Sequence, residues 1–185
     1  MRTEYKMTIA GLERALPLCK LNDKLYIAGF VMFGDIELTE ACARELIKLA
    51  PEHDVMITAE SKGIPLVCAM ARQMGVNKYV LARKAPKLYM QNVVKFDVTS
   101  ITTQGMQSLY LDGKDVEYLK GKRVLIVDDV ISTGASLAAL EKLVNAAEGN
   151  IVGKMTVLAE GEAADRKDII YLEKLPLFDN NGNEL

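Results

Sequence analysis

Residues Arg123–Ser136, RVLIVDDVISTGAS, constrain the fold more than any other stretch of the chain. Val124-Leu125-Ile126-Val127 is a short, unbroken apolar run, the pattern of a strand buried on both faces of a parallel sheet. It ends on two adjacent carboxylates, Asp128 and Asp129, followed by the small polar run Ser132-Thr133-Gly134-Ala135-Ser136. Beyond that run, Leu137, Leu140, Leu143 and Val144 recur at helical spacing, so a helix begins just past Gly134.

A helix start leaves backbone N–H groups without intrahelical partners, and the macrodipole adds positive potential there. Small residues let an anion approach that backbone, and the hydroxyls of Ser132, Thr133 and Ser136 can donate as well. The loop therefore has the make-up of a cradle for one phosphate monoester. It is not a Walker A loop, which ends in Gly-Lys-Ser/Thr, and it lacks the G-x-G-x-x-G of dinucleotide binders. Two carboxylates beside a phosphate repel it unless they face something else. Vicinal sugar hydroxyls fit, since each carboxylate oxygen accepts their hydrogen bonds, and a nearby Mg²⁺ eases the repulsion. Phosphate at the loop and diol at the acid pair describe a ribose 5-phosphate. An ordinary corner with Ser/Thr helix caps accounts for any one of these residues, but not for the ordered string.

Composition removes several function classes. The 185 residues suit one domain with a full core, and the net charge of −2 argues against a nucleic-acid footprint or an acidic-membrane partner. Cys19, Cys42 and Cys68 are odd in number and scattered, which suggests buried free thiols in a reducing, cytoplasmic compartment. The one histidine, His53 in Pro-Glu-His-Asp, reads as a loop residue, so metal and Ser-His-Asp chemistry are poorly supplied. No apolar run approaches the roughly twenty residues of a membrane span, and no signal peptide is expected.

Along the chain, Met1–Lys24 has no clear period. Leu25–Phe33 is strongly apolar and strand-like, and Thr39–Leu49 is expected to be helical with Thr39 as N-cap. A strand at Val55–Ala59, a helix at Pro65–Met74 and a strand at Tyr79–Ala82 follow. With Val124–Val127, a helix at Ala135–Ala147 and a strand at Ile151–Leu158, this alternation predicts an α/β fold, a central parallel sheet flanked by helices. Arg83–Leu111 breaks the rhythm. Its β-prone pieces Val93–Val98 and Ser108–Leu111 flank a Ser/Thr/Gln/Gly-rich segment, Thr99–Gln107, the pattern of either a lid or a plain edge hairpin. The polar tail after Phe178 is expected to fray.

Ligands of parallel sheets sit at the carboxyl ends of the strands. Three strand ends here carry polar loops: Glu60-Ser61-Lys62-Gly63, then Arg83-Lys84-Ala85-Pro86-Lys87, then the Asp pair. Lys62-Gly63 offers a cation and a permissive backbone at a helix start, and Arg83, Lys84 and Lys87 add cations against a nearly neutral background, all suited to pyrophosphate oxygens.

Val124–Ser136 resembles the phosphoribosyl-pyrophosphate (PRPP) motif of type I phosphoribosyltransferases, and the likeness extends over about residues 25–178. Glu60–Gly63 is similar to the Glu-Ala-Arg-Gly pyrophosphate loop of the adenine-specific members, and Leu81–Leu88 to their Arg-Lys-Pro-Gly-Lys-Leu stretch. Phe33-Gly34-Asp35-Ile36 is similar to their Phe-Arg-Asp-Ile hood, whose Phe stacks on the purine, with Gly34 in place of Arg. Val157–Glu160 stands where the family's last core strand meets a base-side loop. Thr99–Ser108 lacks the family's acidic-aromatic pair and has some xanthine phosphoribosyltransferase character.

The resemblance implies one phosphoribosyltransferase domain over 1–185, with a hood from about 1–38 plus the C-terminal segment and a mobile hairpin loop at about 84–110. It implies transfer from PRPP to adenine, giving AMP and pyrophosphate; xanthine, hypoxanthine or guanine as the base, or a non-catalytic PRPP- or nucleotide-sensing regulator, are the alternatives. Ser132, Thr133, Gly134, Ala135 and Ser136 would hold the 5-phosphate, and Ser61, Lys62, Gly63, Arg83, Lys84 and Lys87 the pyrophosphate. Asp128, Asp129, Arg83 and Lys87 would be catalytic, and Phe33 and Glu160 would meet the base. Mg²⁺ would arrive with PRPP without direct protein ligands, and the chain would be a homodimer.

Overall fold

The computed structural model describes residues 2–99 and 106–185. In chain order, β1 (Glu4–Ile9), β2 (Leu12–Lys20) and β3 (Tyr26–Ala28) precede α1 (Ile36–Leu49), β4 (Val55–Ala59), α2 (Ile64–Gln73) and β5 (Val80–Ala82). The hairpin β6 (Val94–Thr99) and β7 (Met106–Leu111) leads to α3 (Gly113–Leu119), β8 (Arg123–Ile131), α4 (Ala135–Ala146) and β9 (Asn150–Glu160). A 3-10 turn at Gly161–Asp165, β10 (Ile170–Leu175) and β11 (Leu177–Phe178) complete the chain.

The central sheet has the order β10-β9-β8-β4-β5, and every pairing in it is parallel. Its two faces explain the unbroken apolar runs. Leu125 and Val127 of β8 and Met56 of β4 point into a core shared with α1, α2 and the N-terminal strands. Val124 and Ile126, with Val55 and Ile57, point into a second core shared with α3, α4 and β7. A strand in this position has no solvent face, so alternation disappears.

A second sheet, order β1-β2-β3-β11, is built from the N-terminal segment and the chain's last strand. Its Ile9, Leu16, Ala28 and Phe178 join the α1–α2 core. The β1–β2 hairpin lies where no period is legible, because Arg14 takes a position in the Leu12-Leu16-Leu18 row and Pro17, a residue that argues against a strand, stands inside it opposite Glu4.

Four expectations are corrected. Leu25–Phe33 is a strand only over Tyr26–Ala28; past Gly29 the chain leaves the sheet, burying Phe30 and Met32 while Val31 and Phe33 stay half exposed. Helix α1 starts at Ile36, not after Thr39: Asp35 is the N-cap, accepting from Leu38 N–H at 3.0 Å, and the Thr39 hydroxyl donates back to the Asp35 carbonyl at 2.7 Å. Cys42 is buried, but Cys19 and Cys68 are exposed. The tail is tied down, because the Asp179 carboxylate accepts from Asn181 and Asn183 N–H at 2.8 Å and Leu185 N–H donates to the Leu177 carbonyl at 2.9 Å.

The excursion after Arg83 is stitched to the sheet at its base. Arg83 and Tyr110 exchange both backbone hydrogen bonds at 2.8 Å, and Leu109 and Leu111 are buried in the α4-side core. Most of its polar segment, residues 100–105, lies outside the described residues. No helix among the described residues is long and apolar enough to cross a membrane.

Candidate active site

Strand β8 does not end at the acid pair; it runs on to Ile131, with Asp128 in register with Thr156 of β9. Its other neighbour, β4, pairs with it only as far as Ile57↔Ile126. Past that point β4 and β8 part, and both acids line the opening at the carboxyl end of the sheet, Asp128 partly exposed and Asp129 buried.

Asp129 is 4% exposed, and its Oδ2 is buried without a hydrogen-bond partner among the described residues, Lys62 Nζ standing 3.4 Å away. Asp129 N–H donates to Asp128 Oδ1 at 2.9 Å. Burial first, and the neighbouring Asp129 charge second, push the Asp128 carboxyl well above the ordinary carboxylate range. The pair is thus under-satisfied as it stands, a condition that a diol donating two O–H bonds relieves.

Gly63 has a steric cause. A Cβ there would lie 2.2 Å from Thr58 Oγ1 and 3.2 Å from Asp128 Oδ1, so only a bare backbone passes between β4 and the acid pair. The turn Glu60–Gly63, whose Glu60–Ser61 peptide is cis, therefore lies directly against Asp128. Thr58, fully buried and with a hydroxyl unpartnered among the described residues, belongs to this contact, and its one sequence signal is a polar residue in an apolar strand.

Glu60 clamps two strand ends together: it accepts from Lys84 N–H at 3.0 Å, and its other oxygen is 3.3 Å from Arg83 Nη2. Arg83, expected at the pyrophosphate, therefore turns its guanidinium to Glu60. Lys62 and Lys84, with Ser61, Asp128, Asp129 and Ser136, line a cavity of about 400 Å³ to which β7 contributes Leu109. Neither Arg83 nor Lys87 lines it.

The segment Ser132–Ser136 wraps a smaller hollow of about 110 Å³ together with Asp128. Gly134, at φ +79°, is the N-cap of α4, and no side chain among the described residues caps that helix. The Ala135 N–H reaches Thr133 Oγ1 only at 3.5 Å. The first-turn donors thus remain available to an anion.

A third cavity, about 330 Å³, opens on the β9 side and is lined by Ser132, Thr133, Glu160, Glu162, Arg166 and Leu177. Burial raises the Glu160 carboxyl, against the pull of the Ser132 hydroxyl and Lys62. Phe33 lines none of the three cavities and is 51% exposed. Arg166 is the residue sequence reasoning missed, since its neighbour Gly134 is far away in the chain.

A family model described as "Phosphoribosyl transferase domain" matches residues 35–183. The chain belongs to that family. A "Hypoxanthine/guanine phosphoribosyltransferase" of Methanococcus voltae is 30% identical over 158 residues, covering 82% of this chain and 80% of the relative. An "Adenine phosphoribosyltransferase" of Brachyspira hyodysenteriae is 32% identical over 124 residues, covering 67% and 68%. Among solved structures, an adenine phosphoribosyltransferase of Thermoanaerobacter pseudethanolicus superposes with a TM-score of 0.67 at 21% identity, covering 93% of this chain and 95% of that one. That likeness shows the family's fold: a central five-stranded parallel sheet with helices against both faces.

Among the described residues, no group of three or more His, Cys, Asp or Glu side chains is gathered to hold a metal. The orphaned Asp129 oxygen, beside Asp128, fits a cation carried largely by substrate oxygens and water rather than by a protein cage.

Proposed function

We propose that the chain is a purine phosphoribosyltransferase acting on PRPP, with adenine as the base and AMP and pyrophosphate as products. One observation carries the reading: the acid pair of β8 stands between a cation-lined cavity on the β4/β5 side and a carboxylate-lined cavity on the β9 side. A ribose held at Asp128 and Asp129, with its 5-phosphate at Ser132–Ser136, has its leaving group toward Lys62 and Lys84. Its opposite face is open to a base entering beside Glu160. As the ring nitrogen bonds to the anomeric carbon, the C–O bond breaks and its electron pair leaves with pyrophosphate, while the base releases its ring proton.

The side chains would contribute positioning and electrostatics. Lys62, Lys84 and the Ser61–Gly63 backbone would stabilise the leaving pyrophosphate, and the acid pair would grip the hydroxyls and favour positive charge developing on the sugar. Arg83 and Lys87 would join only after rearranging from their present positions. Mg²⁺, held through PRPP beside Asp128 and Asp129, would neutralise charge on the pyrophosphate. The β6–β7 hairpin already walls the cavity with Leu109 and would limit access of water. Lys62 and Lys84, lining the leaving-group cavity, favour catalysis over a regulator. A homodimer belongs to the same reading, with Val31, Phe33 and Ile36 as exposed apolar side chains for it to cover.

Adenine is favoured by Glu160, an acceptor for the exocyclic amine where a 6-oxopurine offers a second acceptor. Hypoxanthine or guanine is the second reading, favoured by the name of the Methanococcus voltae relative. Pyrophosphate release from PRPP with each purine in turn decides. Adenine is expected to exceed hypoxanthine and guanine by at least about tenfold in kcat/KM; the reverse order gives the second reading, and no release with any purine removes the catalytic one.

A further inference from the structure

The phosphate loop has no cation of its own. Ile131-Ser132-Thr133-Gly134-Ala135-Ser136 contains neither Lys nor Arg, and Asp128 and Glu160 line the hollows on either side of it. A phosphate monoester with close to two negative charges at neutral pH needs an opposing charge in such surroundings.

Arg166 comes from the far side of β9. Its Nε and Nη2 donate to the two oxygens of Asp168 at 2.9 and 2.8 Å. Asp168 also accepts from Lys154, whose Nζ donates to Glu141 at 2.6 Å, so the fork is held from behind by a chain of ion pairs. Arg166, then Lys154, hold the Asp168 carboxyl well below the usual range, which keeps the arrangement charged wherever the enzyme works. The remaining nitrogen, Nη1, donates to nothing among the described residues. It lies against Gly134, so close that a Cβ there would be 2.7 Å away. Glycine at 134 thus serves twice: it adopts φ +79° and it admits a guanidinium to the loop. Arg166 also shares its cavity with the hydroxyl residues Ser132 and Thr133.

We propose that Arg166 is a phosphate-binding residue, donating through Nη1 to the 5-phosphate of the ribosyl substrate from the β9 side of the loop. The inference rests on the reading of Ser132–Ser136 as the 5-phosphate site. Asp168 is its positioning residue: the Nε/Nη2 edge of the guanidinium is held on its carboxylate, so the Nη1 end is aimed with little entropy left to lose.

Calorimetric titration of the full chain with ribose 5-phosphate, and separately with pyrophosphate, tests it alongside PRPP kinetics. Arg166→Gln is expected to weaken ribose 5-phosphate binding about tenfold or more, the weight of one charge-assisted hydrogen bond. Pyrophosphate binding should stay within about twofold. KM for PRPP should rise about tenfold with kcat within about threefold, the pattern of lost uniform binding, and Arg166→Lys should recover most of the loss. Ribose 5-phosphate binding unchanged in Arg166→Gln overturns the proposal. So does an equal fall in pyrophosphate binding and kcat, which marks general damage to the loop. Should Arg166→Gln melt out, Asp168→Asn carries the test, with about threefold weaker ribose 5-phosphate and unchanged pyrophosphate expected; no change there overturns it as well. Wild-type protein that binds no ribose 5-phosphate fails earlier and differently, removing the 5-phosphate reading before any variant is made.

Discussion

Asp128 and Gly63 are single residues whose side chains, or lack of one, are set by how tightly this cleft is packed. The Asp128 carboxyl is raised in the fold, so between the unfolded value of about 3.9 and its folded value the native state binds the extra proton. Its contribution to stability is therefore lost as pH rises through that window. Asp128→Asn removes the penalty: it should melt about 2–4 °C higher than wild type at pH 8, with less gain at pH 5, while turnover falls about 10²–10³-fold. Melting curves at the two pH values and a pyrophosphate-release assay check both halves, and wild-type turnover would remove the ribose assignment. At Gly63, an added methyl meets Thr58 Oγ1 at 2.2 Å. Gly63→Ala should cost about 1–3 kcal/mol and weaken pyrophosphate binding. Thr58→Ala in the same chain should restore much of both, because the contacts that remain, Asp128 Oδ1 at 3.2 Å and Thr58 Cβ at 3.4 Å, are far milder; a double variant no better than the single one would place the strain elsewhere.

At the level of elements, the start of α1 ties the two sheets together. Asp35 caps the helix and also takes Arg14 of β2 at 2.6 Å, so one side chain serves a helix terminus and an inter-element ion pair. Asp35→Ala is expected to cost about 1–2 kcal/mol in urea unfolding, at the upper part of the range for a lost cap. Arg14 first, then the Leu38 N–H, lower the Asp35 carboxyl. Its contribution is thus present above about pH 4 and lost as pH falls through the folded value, so wild type and Asp35→Ala should converge in stability in acid. A gap that persists at pH 2 would show the loss to be packing rather than charge. The residues around the cap also show why the sequence points to Thr39 while the fold uses Asp35. Asp35 and Thr39 are both good caps one turn apart, and it is Arg14, 21 residues earlier, that selects between them.

Across the whole molecule, what sequence determines here is what neighbours along the chain decide. The parallel sheet is legible because Val55–Ala59 and Val124–Val127 lose alternation wherever both faces are covered, and the loop that opens α4 because its small polar residues are consecutive at one helix start. The order of the strands, the parting of β4 from β8 that opens the cleft, and the fate of each cation were decided only in three dimensions. Arg83 goes to Glu60, Lys62 to Asp129, and Arg166 comes back to Gly134 across 32 residues. The N-terminal hairpin stayed hidden because Arg14 and Pro17 break its pattern, and its place is settled by packing on α1 and by β11 from the other end of the chain. Backbone donors and apolar periods are local properties that a sequence carries openly. A charged side chain takes its role from whichever opposite charge the folded chain brings within about 4 Å, and only the tertiary structure makes that choice.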